Sequence, residues 1–151
     1  MIEKELVCET VGPIMNGIAL AALSFRDLKY KTIGVIPVVF LGAFNTVMAV
    51  YAGSKALTIV LGLLPGIFAI LVSLITNGKM GLGDGLLLLA LGPAYGWYGT
   101  LGIWLVALLT GALTGICLMI FKKANIKTAL AFVPFIFVGF VFGEVMERMA
   151  L

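Results

Sequence analysis

Residues 85–121 read GLLLLALGPAYGWYGTLGIWLVALLTGALTGICLMIF, without a single charged side chain. Pro93, Gly96 and Gly99 lie in the middle of this run. A tight turn at residues 96–99, with two aromatic residues suited to a membrane interface, predicts two helices, at 84–98 and 100–121. The first would rise only about 21 Å from Gly85 to Tyr98, short of a hydrocarbon core of roughly 30 Å, so a shallow, broken or tilted span is expected.

The composition of the whole chain indicates a membrane protein. Of its 151 residues, 62% are hydrophobic and 11% are charged, against about 25% charged in soluble globular domains. The mean hydropathy of +1.20 points to lipid as the solvent, where every backbone polar group must be satisfied within the chain and helices are favoured. We expect an all-α, polytopic transmembrane bundle of about six helices, forming a single membrane-embedded domain over residues 1–151.

Four further apolar runs lie between the charged positions, at residues 6–25, 35–53, 56–76 and 128–147. A total of five helices remains the alternative, because the predicted helix at 84–98 is short. Basic residues follow the first, third and fifth predicted helices, so the positive-inside rule places these loops in the cytoplasm and both termini outside. The residues on that side are Arg26, Lys29, Lys31, Lys79, Lys122, Lys123 and Lys127.

The charge and cysteine patterns argue against two classes of function. The net charge of +3 comes from residues clustered in short polar breaks, not from the continuous basic stripe that nucleic-acid binding requires. Cys8 and Cys117 have no CxxC or Cys/His spacing, so no zinc site is predicted. We therefore expect the lipid bilayer as a partner, no nucleic acid, no metal and no cofactor.

Two acidic residues, Asp27 and Asp84, lie away from the chain ends, whereas the other acids are near the termini. In the predicted topology both aspartates face the cytoplasm at the membrane boundary. Placing a carboxylate at such a position costs free energy because it loses hydration, so these acids are functional candidates by default. If the two carboxyl groups approach within a few ångström, one proton shared between them provides a base that activates water and an acid for the leaving amine. This is the chemistry of aspartic peptidases.

Each aspartate also has a simpler interpretation. Asp84 follows Gly81 and Gly83 and precedes Gly85; these glycines remove side-chain bulk, which predicts access for an extended peptide. Alternatively, Asp84 only caps the N-terminus of the fourth helix. Asp27, flanked by basic residues, could be a solvated loop acid in exposed ion pairs worth about 0–1 kcal/mol.

Three motifs together carry a family resemblance. Residues 25–33 read FRDLKYKTI, with Ile33 six positions after Asp27, and residues 81–84 read GLGD, a GxGD motif; Pro134 and Phe135 form a Pro-Phe pair near the end. This pattern resembles the type IV prepilin peptidases and the archaeal preflagellin peptidases. The resemblance implies a membrane aspartic endopeptidase with catalytic Asp27 and Asp84, which removes the short basic leader of prepilin-like membrane proteins at the cytoplasmic face of the cell membrane.

The chain departs from that family pattern at several places. Many members carry an apolar residue and a Lys after the GD, whereas Gly85 and Leu86 stand here, and the usual Pro-Asn after the Ile is replaced by Gly34 and Val35. No role for such a Lys is therefore carried over. Nothing matches the N-terminal region with cysteine pairs that is associated with pilin methylation, so a minimal, peptidase-only form is expected.

Two other functions fit the same residues. In a small proton- or cation-coupled transporter subunit, Asp27 and Asp84 would carry protons or bind a cation. In a nonenzymatic assembly subunit, small-residue helix faces would hold partner proteins and both acids would be dispensable. The sequence leaves open the natural substrate, its filament or secretion system, and the oligomeric state.

Overall fold

A computed structural model describes residues 2–30, 33–76, 81–121 and 131–150, without the side chains of residues 2–9 and 150. Every regular element in these ranges is a helix, which confirms the predicted all-α class for them. The helices are α1 (Ile2–Tyr30), α2 (Val35–Tyr51), α3 (Ala56–Ile75), α4 (Leu82–Ile120) and α5 (Val133–Ala150).

The first helix extends further than predicted. Its expected end was residue 25, but α1 continues to Tyr30. Arg26 and Lys29 are exposed while Asp27 is buried. The helix continues through these charged residues. Arg26 and Lys29 lie on its exposed face, and Asp27 lies on its buried face.

The last helix begins later than predicted. Residues 131–132 are not helical and α5 starts at Val133, whereas the expected start was residue 128; residues 128–130 lie outside the described ranges. Pro134 accounts for this start, since proline lacks a backbone N–H and is suited to the first turn of a helix.

The fourth and fifth predicted helices form one element, α4, which is interrupted at Gly96. There the backbone has φ 62° and ψ −169°, a region essentially restricted to glycine. Contacts with α3 indicate that the chain reverses direction at this point. Gly85, before the break, packs on Ile70, and Trp104, after it, packs on Phe68 with ring centroids 5.9 Å apart. The described ranges thus contain five helical elements, and the predicted count of six is not confirmed, because the helices before and after Gly96 are joined without an intervening loop.

Two of the helices in the described ranges are long and apolar enough to cross a membrane, Ala56–Ile75 and Leu82–Ile120. Val35–Tyr51 is equally apolar in character but has only 17 residues. With the apolar composition of the whole chain, these helices mark a membrane protein.

The closest packing is between α3 and α4. Gly62 and Gly92 face each other's backbone carbonyl groups, and a Cβ atom on Gly66 would lie 2.5 Å from the Cα of Leu89. Small residues of this kind let membrane helices approach closely. The first half of α4 is consequently fixed against α3, and this fixes the position of Asp84 at its start.

One apolar core joins all five helices. Its largest fully buried side chains come from α1, α4 and α5, and they include Leu20, Leu87, Leu88, Leu91 and Ile136. This core holds the end of α1 beside the starts of α4 and α5, where the two internal aspartates lie.

Candidate active site

Asp27 lies on the buried face of α1. It follows Asn16, Leu20 and Leu23 at helical spacing, and all four side chains are buried, as expected for residues that share one helix face. Only 6% of Asp27 is exposed. The interpretation of Asp27 as a solvated loop acid is therefore wrong, because the side chain points into the helix bundle and not toward its basic neighbours.

Asp84 lies in the first turn of α4 and is also only 6% exposed. The N-cap residue of α4 is Gly81, and the backbone N–H of Asp84 donates to the Gly81 carbonyl at 3.1 Å. The alternative in which Asp84 itself caps the helix is thus wrong. Asp84 sits inside the first turn, where the positive end of the helix favours a negative charge.

The two carboxyl groups lie in the same part of the bundle. Asp27 and Asp84 come from different helices, yet they lie within electrostatic range of each other. Both are buried within the bundle, where electrostatic interactions are stronger than in water. The two carboxyl groups therefore form one candidate site, built from the end of α1 and the first turn of α4.

The N-terminus of α5 holds Asp27 in place. The backbone N–H of Val133 donates a hydrogen bond to Oδ2 of Asp27 at 3.1 Å. Val133 is the first residue of α5, so the positive end of that helix is directed at the carboxylate. Sequence reasoning missed Val133 because its contribution comes from the backbone; the only nearby signal was the Pro-Phe pair that follows.

The glycines around Asp84 each make room for a neighbouring group. A Cβ on Gly81 would lie 2.7 Å from Oδ2 of Asp84, and one on Gly83 would lie 2.6 Å from Cδ1 of Ile33. A Cβ on Gly85 would lie 2.7 Å from Cγ1 of Ile70. Close packing around Asp84 therefore requires these glycines, while their use in substrate access stays a prediction.

The contact between Gly83 and Ile33 joins the two sequence motifs. Ile33 is the residue six positions after Asp27, and Gly83 belongs to the GxGD element. Since each of these residues is close in sequence to one of the aspartates, their contact fixes the relative position of the two acids. The six-residue spacing from Asp27 to Ile33 thus places Ile33 against Gly83, the residue before Asp84.

Ser24 adds a polar group next to the pair. It lies one helical turn before Asp27 and is 8% exposed. Among the residues that the structure describes, none makes a hydrogen bond to its Oγ. This hydroxyl is consequently available to bind a water molecule beside the carboxylates.

The ligand set at this site is limited to the carboxylates. In the described ranges, no group of three or more His, Cys, Asp or Glu side chains could hold a metal ion. What the arrangement offers chemically is a buried pair of acids able to give and take protons.

A second polar cluster lies at the opposite end of the bundle, and the sequence reasoning did not identify it. The hydroxyl of Tyr95 donates to Oε1 of Glu144 at 2.9 Å, and Nδ2 of Asn16 donates to the Tyr95 hydroxyl at 3.4 Å. In the sequence, Glu144 is one of the acids that lie near the termini. The available signal was its position within an apolar stretch of the last predicted helix.

Most of the chain is similar to a known protein family. The model of the type IV leader peptidase family matches residues 14–116 of this chain. The matched segment is more than half of the sequence and contains both aspartates, Ile33 and the GxGD element. No curated protein and no solved structure matched the chain.

Proposed function

The chain belongs to the type IV leader peptidase family, and we propose that it is an aspartic endopeptidase whose catalytic groups are Asp27 and Asp84. The observation that carries the proposal is the burial of these two carboxyl groups within electrostatic range of each other. A pair of acids in this state matches the shared-proton chemistry of peptide hydrolysis.

In the proposed mechanism the two acids alternate roles. One carboxylate takes a proton from water as the water oxygen bonds to the scissile carbonyl carbon, and the protonated partner gives its proton to the carbonyl oxygen. When the C–N bond breaks, the first acid protonates the leaving nitrogen and the second recovers a proton from a hydroxyl group of the tetrahedral gem-diol, which becomes the new carboxyl group. The pair ends as it began, with one proton between two carboxyl groups that titrate as a unit.

The proposed substrates are prepilin-like membrane proteins, cut between a short basic leader and an apolar helix. The exposed Arg26 and Lys29 lie at the same end of the bundle as both aspartates, which supports a cytoplasmic position for the site. The reversal of α4 at Gly96 supports six membrane crossings in a single peptidase domain. The site then lies at the height where the leader of an inserted substrate leaves the lipid.

The proposal is tested by incubating the purified protein with a prepilin-like substrate and identifying the new N-terminus by mass spectrometry. We expect a single cut at the junction between the basic leader and the apolar helix. If no peptide product forms, and the protein instead supports acid-dependent ion flux in liposomes, the transporter function replaces the peptidase.

Removal of one backbone hydrogen bond should weaken catalysis. Val133→Pro deletes the N–H that contacts Asp27 and keeps a residue suited to the first position of a helix. Leader cleavage should fall by about 10-fold, equivalent to the roughly 1.5 kcal/mol of a hydrogen bond to a charged group. The measurement is the single-turnover cleavage rate of the purified variant.

The matched control is Val133→Ala, which shortens the same buried side chain but keeps the N–H. If Val133→Ala slows cleavage as much as Val133→Pro, side-chain packing explains the loss and the hydrogen bond has no special part in it.

A further inference from the structure

A cavity of about 810 Å³ opens at the end of the bundle opposite the aspartates. Asn16, Tyr95 and Glu144 each lie eleven residues along their helices from Asp27, Asp84 and Val133, respectively. At 1.5 Å per residue this separates the cavity floor from the carboxylate pair by about 16 Å. The cavity is therefore distinct from the candidate active site.

Two buried asparagines line this cavity, and each has an unsatisfied side-chain oxygen. Asn16 and Asn45 are each 1% exposed, and their Oδ1 atoms have no hydrogen-bond partner among the residues that the structure describes. Their amide nitrogens are already used, by the Tyr95 hydroxyl and by the carbonyl of Ala90. Buried polar atoms are normally satisfied, so these two oxygens call for a ligand that donates hydrogen bonds.

Charged side chains of both signs line the same cavity. Glu144 and Glu147 contribute carboxylates and Arg148 contributes a guanidinium group. A primary ammonium group has three N–H donors for carboxylate and amide oxygens, whereas guanidinium pairs in a bidentate manner with phosphate. The lining thus complements a zwitterion that carries an ammonium and a phosphate.

The volume of the cavity and its apolar lining point to a membrane lipid as the molecule that carries this zwitterion. Its volume is in the range of sites that hold drug-sized ligands, and Pro13, Met48 and Ala49 add apolar lining. A membrane protein meets such a molecule in the lipid itself. We propose that this cavity binds the phosphoethanolamine headgroup of a membrane phospholipid.

The experiment measures thermal unfolding of the purified full-length chain in detergent, with a short-chain phosphatidylethanolamine or the matching phosphatidylcholine added. The choline lipid has the same phosphate and chains but no N–H donor. A ligand that binds only the folded state raises the unfolding temperature. We expect a concentration-dependent rise of several degrees with the ethanolamine lipid and no comparable rise with the choline lipid.

Two further arms complete the design. Arg148→Gln should shift the ethanolamine-lipid titration to at least about 10-fold higher concentration, whereas Lys55→Gln, a basic residue at the same end but outside the cavity lining, should not. Water-soluble phosphoethanolamine replaces the lipid in the second arm. A rise with the lipid alone assigns the source to the bilayer, and a rise with both shows that the headgroup is sufficient.

Equal responses to the two lipids, or an unchanged titration in Arg148→Gln, would overturn the proposal. The titrations are made with the Asp84→Asn variant as well as with the wild type. Because that change is about 16 Å from the cavity, lipid binding is expected to be the same in both, and the result is independent of peptidase activity.

Discussion

Asp27→Asn and Asp84→Asn are each expected to abolish leader cleavage, with a loss of at least about 10²–10⁴-fold, the range supplied by positioned acids and bases. Asparagine has nearly the same shape as aspartate but cannot exchange a proton near neutral pH. Its side-chain oxygen can still accept the hydrogen bond that Val133 donates to Asp27, so the fold should be retained. The measurement is coexpression with a prepilin-like substrate and detection of the shortened product.

The controls separate catalysis from folding. Both variants should insert into the membrane at wild-type levels and keep the helical circular dichroism of the parent. The double variant should lose no more activity than either single variant, because the losses are not additive for residues that act as a unit. Full cleavage by either single variant would remove that aspartate from the mechanism.

Gly83→Val should lower cleavage by about 10²-fold, the loss that a 1 Å displacement of a catalytic group can cause. A Cβ at this position would lie 2.6 Å from Cδ1 and 2.9 Å from Cβ of Ile33. Because Ile33 follows Asp27 and Gly83 precedes Asp84, the branched side chain would push the two acids apart. Steady-state cleavage by the purified variant provides the measurement.

Gly102→Val is the matched control, since it lies on the same helix and a Cβ there would have nothing within 4 Å. That variant should cleave at close to the wild-type rate. Ile33→Ala in the Gly83→Val background should restore part of the activity, because contacting residues are energetically coupled. Unchanged kinetics in Gly83→Val would mean that the contact between the motifs does not set the position of the acids.

Much of the helical pattern could be predicted because it depends on the spacing of charged residues. The bounds of α3 differ from the predicted 56–76 by one residue at the C-terminal end. The predicted break at residues 96–99 is also present, at Gly96. The six-helix count is not confirmed, because the helices predicted on the two sides of this break are joined directly at Gly96 and form one element.

The parts of the site that depend on side-chain identity could be predicted, and the parts that depend on the backbone could not. The sequence pointed to Asp27 and Asp84 as a pair; both are buried and lie within electrostatic range of each other, and their catalytic role stays a prediction. The hydrogen bond from Val133 could not be predicted, since every residue except proline has the same backbone N–H. Glu144 was missed for a different reason: it lies close to the chain end in sequence, although its side chain accepts a hydrogen bond from Tyr95 inside the bundle.

Cross-linking in native membranes measures the closeness of the two carboxyl positions directly, and the proposed hydrolytic centre requires that closeness. Cys8 and Cys117 are first replaced by serine, and Asp27→Cys is combined with Asp84→Cys. A short bifunctional thiol reagent is predicted to join these two positions within one chain. A comparison pair, Asn16→Cys with Asp84→Cys, lies about 16 Å farther apart along α1 and should give no such product. If both thiols of the first pair react singly but are never joined, the two acids do not share a site and the proposed hydrolytic centre is contradicted.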